Sequence, residues 1–235
     1  MKFSKYFLIL LFPAYLHCQT VTSPGGFLFV PTAKLNPDRT FSIGTTYFQK
    51  NTLGYFNGKY NSLFIYADMT FLPFLSVGVN IMRPLDYPVN IYGAGDRSVT
   101  FKLQLLKEES HYLNLLIGMQ DALHIINFDT RTNTDFNSAY VVLSKKINFD
   151  AFGKSELEIS SGYAKKRSIA TFYDMNGFFG GVKVKVFSKY SFILEYDSRF
   201  TNAGLNFSLF DAFNIMAGTR SWKSVFGSVS YSFIL

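Results

Sequence analysis

The sequence has few of the residues on which most catalytic, metal-binding and redox sites depend. Its 235 residues include one cysteine, Cys18, and three histidines. A single cysteine excludes an intramolecular disulfide framework. No Gly-x-Ser-x-Gly motif is present, so the turn that exposes a nucleophilic serine in many hydrolases is missing. We therefore predict no enzyme activity, no catalytic residue, no metal site and no cofactor.

Long apolar runs and clusters of basic residues are also missing. From Gln19 onward the sequence has no uninterrupted apolar run of about 18 residues, which excludes transmembrane helices. Lysine and arginine number 23 against 16 acidic residues, a formal net charge of +7. Because these charges are dispersed, a nucleic-acid partner is not expected. The mild basicity suits anionic sugars or lipid headgroups.

The first residues have the pattern of a secretory signal. Lys2 and Lys5 precede a short apolar core, Phe7–Tyr15, which is too short to span a bilayer. We predict a cleaved signal peptide over residues 1–18. A lipid anchor on Cys18 is the alternative, although His17 is larger than the residue expected before a lipidated cysteine. Residues 19–38, which contain Gly25, Gly26 and Pro31, are predicted to form a periplasmic lead-in segment, and residues 39–235 an outer-membrane barrel.

Aromatic residues and alternating strands are what the sequence has in abundance. It contains 27 phenylalanines and 15 tyrosines. The stretch Val225–Leu235 places an apolar row on one face and mostly serine on the other. That pattern suits a sheet with lipid outside and a hydrated interior. Because the chain ends within this strand, we expect the strand to close a ring by pairing with the first one, which leaves no edge in hydrocarbon.

About twelve such segments follow one another from residue 39. Short turns, such as Leu72–Phe74 and Ser188–Lys189, alternate with longer polar connections. In bacterial barrels the short turns face the periplasm and the longer loops face the exterior. The predicted fold is all-β, a transmembrane antiparallel up-and-down barrel of about twelve strands. A soluble sandwich or a lipocalin-like barrel, with its apolar face inward, is the alternative.

The polar rows of these strands would line the lumen. We interpret them as an internally neutralised, plug-like core rather than a selective channel. Lys183 and Lys185 precede a single turn that leads to Glu195 and Asp197, so ion pairs between these strands are predicted. The predicted lumen-facing polar residues are Asp68, Lys102, Gln104, Asn114, Glu156, Glu158, Lys183, Lys185, Glu195 and Asp197.

Two other groups of residues favour ordinary structural roles over chemistry. Asp96 and Arg97 are adjacent on a strand and so point to opposite faces, which favours a strand-start turn with an interfacial arginine over a sugar-binding pair. His111 and His124 offer no adjacent nucleophile. Asp121, His124 and Asp129 lack a recognised metal-ligand spacing and read as a solvated loop.

Several stretches, in order along most of the chain, resemble the YjbH-like family of bacterial outer-membrane proteins associated with exopolysaccharide or capsule export. They are Gly25-Gly26-Phe27, Val30-Pro31-Thr32-Ala33, Thr40–Gly44, Gly95–Ser98, Leu105–Glu108, Gly118–Asp121, Tyr140–Lys146, Gly180–Val182 and Glu195–Asp197. Larger members of the family continue beyond one barrel, so this chain resembles a single-barrel version.

The resemblance implies a role in exopolysaccharide or capsule secretion or assembly, as a scaffold or a narrow conduit. It implies the outer membrane of a Gram-negative bacterium as the location, with polysaccharide and periplasmic export components as partners. We expect a monomer surrounded by outer-membrane lipid. The alternatives are a general small-solute channel and an outer-membrane lipid hydrolase.

Overall fold

A computed structural model describes residues 26–52, 60–86, 96–122, 138–150, 154–166, 175–209 and 212–235. The predicted signal peptide with Cys18, residues 19–25, and His124 and Asp129 lie outside them. No helix in these ranges has the length and hydropathy needed to cross a bilayer. The described residues form twelve strands: β1 Thr40–Phe48, β2 Ser62–Leu72, β3 Leu75–Pro84, β4 Asp96–Leu106, β5 Asn114–Met119, β6 Ser138–Phe149, β7 Ser155–Lys166, β8 Gly177–Val186, β9 Tyr190–Tyr196, β10 Thr201–Leu209, β11 Phe213–Arg220 and β12 Ser224–Ile234.

The strands form a closed antiparallel barrel. Each strand pairs with its neighbours in sequence, and β1 pairs with β12 to complete the ring. The predicted all-β, twelve-stranded up-and-down barrel is therefore confirmed. The alternating pattern predicts a strand over His111–Gln120, but β5 begins three residues later, at Asn114. A register shift between Gln104 and Leu106 of β4 opens the ladder there, so pairing starts later.

The seam between β1 and β12 is a regular ladder of nine residue pairs, from Thr40 opposite Ile234 to Phe48 opposite Phe226. Inside the barrel, the hydroxyls of Ser42 and Ser232 lie 2.8 Å apart, and Thr46 donates to Ser228 over 2.9 Å. Cross-strand hydroxyl pairs of this kind stabilise a ladder beyond its backbone hydrogen bonds. The seam is thus as complete as the pairings between consecutive strands.

The two faces of each strand differ as the alternation predicts. In β12, Phe226 is 3% exposed and Ser228 and Ser230 are buried, whereas Val225 is 51% exposed. The outer wall carries large apolar side chains along the middle of the strands. Ile43, Ile65, Val79, Leu103, Ile117, Val141, Leu143, Ile159, Leu194, Leu205 and Ile215 are all exposed. The apolar rows therefore face outward and the polar rows inward.

The interior is more apolar than the sequence pattern predicted. Part of each inward row consists of large side chains, which pack into one buried cluster: Phe48, Phe64, Tyr66, Met82, Leu116, Tyr140, Val142, Phe179, Ile193, Met216 and Phe226. A barrel of twelve strands is wider than an eight-stranded one, whose side chains just fill its interior. Large side chains compensate for part of the extra width.

Glycines in the wall make room for these aromatic rings. Gly44 lies directly opposite Tyr66, and a Cβ on Gly44 would be 2.4 Å from the tyrosine Cζ. Gly118 lies opposite Tyr140 with a corresponding distance of 2.1 Å. The arrangement recurs for Gly162 with Phe179 and for Gly218 with Phe226. A ring covering the glycine of the next strand supplies the packing that the missing side chain does not.

The two ends of the barrel differ. At the end where β1 begins and β12 finishes, called here the turn end, Pro73–Phe74 and Phe187–Lys189 form short turns. The opposite end, called the loop end, carries the longer connections 49–61, 85–95, 120–137 and 167–176. The loop-end connections 197–200 and 221–223 are short, so the alternation of short and long connections is not maintained after β8.

The segment before β1 lies inside the barrel rather than ahead of it. Residues 26–36, called here the plug segment, include Phe27, Leu28, Val30 and Ala33, which have no exposed surface. Of the predicted lead-in over 19–38, the described part 26–36 thus lies in the lumen. Pro31 disfavours a central strand in this segment, as the sequence indicates. The width of the lumen that accommodates the segment follows only from the closed ring.

We expect a disulfide to form across the seam when Ser42 and Ser232 are both replaced by cysteine in a Cys18→Ser background. The Leu235 N–H donates to the Arg39 carbonyl and the Gln49 N–H donates to the Val225 carbonyl, so the odd-numbered residues of β1 are in backbone hydrogen-bonded pairs. Ser42–Ser232 belongs to the alternate class, whose backbone groups are not bonded to each other. Such pairs have Cα atoms about 4.5 Å apart, within disulfide range. The cross-link is checked by non-reducing electrophoresis of the folded protein.

The matched control replaces Ser42 and Ser228, which lie on the same inward rows but four residues out of register. This pair should remain reduced. Equal cross-linking of both pairs, or of neither, would contradict the seam.

Candidate functional site in the lumen

The tip of the plug segment is a tight reversal of the chain. Gly26 forms an antiparallel bridge with Pro31, and the Phe27 N–H donates to the Val30 carbonyl over 2.9 Å. The turn leaves the next three N–H groups, of Leu28, Phe29 and Val30, pointing to one side. Successive backbone N–H groups that converge in this way form an anion-binding concavity.

Glu195 of β9 fills that concavity. Its Oε2 accepts from the Leu28 N–H over 2.8 Å and from the Val30 N–H over 3.1 Å, and its Oε1 accepts from the Phe29 N–H over 2.8 Å. Asn202 of β10 adds a side-chain donor to Oε1 over 3.1 Å. The carboxylate is buried, so these charge-assisted bonds replace its hydration and hold the tip against the wall.

The rest of the plug segment is held by wall side chains that bind its backbone. Ser160 donates to the Pro31 carbonyl over 3.1 Å, Ser144 accepts from the Ala33 N–H over 2.7 Å, and Gln104 donates to the Ala33 carbonyl over 2.8 Å. Near the turn end, Asn36 donates to Ser42 over 3.2 Å. Among the described residues the segment pairs with no barrel strand. It is attached by side chains from the wall.

Apolar contacts surround the tip on the loop-end side. The Phe29 ring packs 5.1 Å from Phe226 and 6.1 Å from Phe48, measured between ring centroids. Two glycines make room for the other tip residues: a Cβ on Gly181 would lie 2.5 Å from Phe27, and one on Gly204 would lie 2.7 Å from Leu28. The wall is therefore shaped to receive the tip.

Arg220 and Asp197 form a second buried charged cluster next to the tip. Their Nε and Oδ2 atoms lie 3.4 Å apart. Asp197 also accepts from the Phe200 N–H over 2.8 Å and so shapes the turn between β9 and β10. Arg220 donates to the Thr52 carbonyl and lies over the Phe29 ring at 5.4 Å. The pair joins the tip to the connections at the loop end.

The alternating pattern predicted a strand over Ala212–Thr219, which stops one residue before Arg220, so the arginine was not predicted to lie in the lumen. The inward row Asn214, Met216 and Gly218 continues by one more step to residue 220. Extending the period-two pattern by one residue would have placed the arginine in the lumen.

The ion pairs on β6–β8 differ from those predicted. Lys183 pairs with Glu158 over 2.5 Å, and both side chains are buried. The two residues are directly opposite on β7 and β8, whereas β9 presents Ile193 opposite Lys183. Lys183 therefore has an ion-pair partner on β7, whereas the sequence prediction placed the partners of Lys183 and Lys185 on β9, at Glu195 and Asp197. The register of β8 against β9 determines this, and it could not be read from the turn alone.

Further charges lie toward the turn end of the same strands. Lys146 pairs with Glu156, and both are part-exposed. Lys34 of the plug segment lies near these groups. Burial lowers the pKa of the Lys34 ammonium, and the positive charge of Lys146 lowers it further. Lys185 lies opposite Glu156 in the ladder. Mixed charges of both signs thus occupy this part of the lumen.

Two smaller polar groups account for the remaining sequence-predicted residues. Asp68 accepts from Ser76 over 2.6 Å and lies 3.8 Å from the Lys102 ammonium, with all three buried. Asn114 accepts from Gln104 over 3.1 Å. Of the ten predicted lumen residues, eight are buried, and Glu156 and Lys185 are half-buried. They form several separate groups along the wall instead of one site.

The other candidate residues are dispersed. His111 is exposed in the connection after β4, with Nδ1 3.3 Å from the Lys107 carbonyl oxygen. Arg97 is exposed at the loop end of β4. Asp121 is buried at the loop end. These positions bring no nucleophile together with His111.

The buried Glu158–Lys183 pair should contribute more to stability than the Glu156–Lys146 pair two residues away. Glu158→Gln leaves a buried ammonium without its carboxylate, and we expect it to lower the free energy of unfolding by about 3 kcal/mol. Glu156→Gln breaks a part-exposed pair and should cost about 1 kcal/mol or less. Urea unfolding of the barrel in detergent measures both, and equal effects would contradict this ranking.

Comparisons with known proteins place this barrel in a family. No curated protein sequence matches the chain. Solved structures that match include a KdgM porin, with 9% sequence identity, a TM-score of 0.48, and coverage of 83% of this chain and 99% of the porin chain. A family model named YjbH, described as "Exopolysaccharide biosynthesis protein YbjH", matches residues 21–203. The match confirms the resemblance drawn from the sequence motifs, and the chain belongs to the YjbH family.

Proposed function

We propose that this protein is a non-enzymatic outer-membrane barrel that serves the secretion or assembly of an exopolysaccharide or capsule. Family membership over residues 21–203 is the observation that carries the polysaccharide link. The closed barrel with its apolar outer wall supports the location. A monomer in lipid, working with polysaccharide and periplasmic export components, is the corresponding assembly.

The composition of the outer wall at the turn end, at the middle of the strands and at the loop end supports a membrane location. Aliphatic side chains such as Val79 and Leu205 are exposed at mid-strand. Aromatic side chains are exposed near both ends, with Phe74 and Phe187 at the turn end and Phe178 and Trp222 at the loop end. An apolar band between two aromatic girdles is typical of barrels in bilayers.

The side chains and the plug segment inside the lumen bear on whether the barrel acts as a scaffold or as a conduit. A scaffold needs only the folded ring, whereas a conduit needs a path through it. The plug segment and the aromatic cluster occupy the lumen, so the conduit role requires a rearrangement. A general small-solute channel would require the same rearrangement and would show no dependence on polysaccharide.

We expect deletion of the gene to reduce cell-surface or secreted polysaccharide, with restoration by the wild-type gene. Total carbohydrate in cell-surface and culture fractions is the measurement. Sensitivity to detergent is the control, because a general envelope defect would raise it. Unchanged polysaccharide in the deletion strain would contradict the proposed role, and a loss of small-solute uptake alone would favour the general channel.

We expect Leu205→Arg to hinder insertion of the barrel into lipid vesicles. Leu205 is 56% exposed at the middle of β10, and a charged side chain at the midplane costs about 2–4 kcal/mol. Trp222→Arg, at the loop-end rim, is the matched control and should cost about 1 kcal/mol or less. Equal stability of both variants in vesicles would argue against lipid contact at Leu205.

A further inference from the structure

We propose that the plug segment is a displaceable gate and that the contact between Glu195 and the backbone of Leu28–Val30 is its latch. Withdrawal of the segment toward the turn end would open a path through the lumen. The inference goes beyond the proposed function, because it concerns the opening of the barrel and holds for any solute.

The barrel wall does not need the plug segment to complete its hydrogen bonds. Each of the twelve strands pairs with two neighbouring strands, including β1 with β12. Within the described ranges, the bridge of the plug segment is internal, between Gly26 and Pro31. Removal of the segment therefore breaks no ladder hydrogen bond, and the ring can stay closed while the lumen opens.

The wall groups that hold the segment can be hydrated when it leaves. Ser144, Ser160 and Gln104 bind its backbone through hydroxyl and amide groups. Water can replace such partners at low net cost, because a hydrogen bond in a protein and one to water are similar in free energy. These contacts position the segment without fixing it permanently.

The latch differs from these contacts in strength and in number of bonds. Glu195 accepts three backbone N–H groups from consecutive residues over 2.8–3.1 Å. Loss of the carboxylate would leave three buried donors without an acceptor, and unsatisfied buried donors are costly. This one side chain therefore carries much of the preference for the closed arrangement.

The hinge lies where the segment meets β1. The Thr40 N–H donates to the Pro37 carbonyl over 3.2 Å, which forms a turn at the mouth of the turn end. Arg39 in that turn has a φ of 61°, a left-handed conformation that reverses the direction of the chain. A change at these residues would swing residues 26–36 out while the nine pairs from Thr40–Ile234 to Phe48–Phe226 stay in place.

The experiment measures the conductance of the purified full chain in planar bilayers. We expect Glu195→Ala to raise the open fraction by about tenfold or more over the wild type. Asp68→Asn is the matched control: it alters another buried acid of the wall, which binds Ser76 and Lys102. An equal rise in the control, or no rise in Glu195→Ala, would overturn the proposal.

A reversible lock tests whether the plug segment itself is the gate. Ala33→Cys with Ser144→Cys, in a Cys18→Ser background, ties the segment to β6 where the Ala33 N and Ser144 Oγ lie 2.7 Å apart. Added to Glu195→Ala, the oxidised lock should abolish the extra conductance, and reduction should restore it. Thr46→Cys with Ser228→Cys joins β1 to β12 and should leave conductance unchanged. Conductance that persists with the plug locked would overturn the proposal.

Leu28→Asp provides a second route that leaves every wall residue intact. It places a carboxylate in the buried tip beside Glu195, so the tip is repelled from its seat. We expect conductance at least as high as that of Glu195→Ala, and a closed barrel would contradict the gate. Heat-modifiable migration in electrophoresis verifies that each variant is folded. The assay contains no polysaccharide, so its outcome is independent of the deletion experiment.

Discussion

The structure depends on the pairing of β1 with β12. A strand edge facing hydrocarbon leaves N–H and C=O groups unpaired, at several kcal/mol each. The nine residue pairs of the seam remove that edge completely. Once the ring is closed, the direction of every side chain follows from the alternation of the strands: apolar rows face out, and serine, lysine and glutamate rows face in. Closure also fixes the width of the lumen, which side chains alone do not fill, and this explains why the plug segment is inside.

The lumen is stabilised by different interactions toward its two ends. Toward the loop end, aromatic rings cover opposing glycines, as Tyr140 does over Gly118, and surround the tip of the plug segment. Toward the turn end, ion pairs such as Lys146–Glu156 are part-exposed. A buried ion pair without hydration costs desolvation free energy, whereas a hydrated one does not. The part-exposed pairs toward the turn end therefore tolerate water, whereas the loop-end part combines apolar packing with the buried Arg220–Asp197 pair.

Most of the wall, but little of the interior, could be predicted from the sequence. Period-two alternation determines strand type, strand number and the face of each residue, because these are local properties. The pairing of Lys183 depends on register between strands, which the single turn did not reveal, so Glu158 rather than Glu195 is its partner. The role of Glu195 was beyond any local pattern, since its three backbone donors are more than 160 residues away in sequence.

The two classes of contact in this molecule have different consequences for motion. Ladder hydrogen bonds join each strand to both of its neighbours, and breaking them would leave backbone groups of the wall unpaired. The contacts of the plug segment are side-chain hydrogen bonds within the lumen, where their partners can be hydrated. Because the wall is fixed and the contacts of the plug segment can be replaced by water, the plug segment can move while the barrel stays closed. The carboxylate of Glu195 connects the wall to the plug segment, because Glu195 belongs to β9 and binds the backbone of the plug segment.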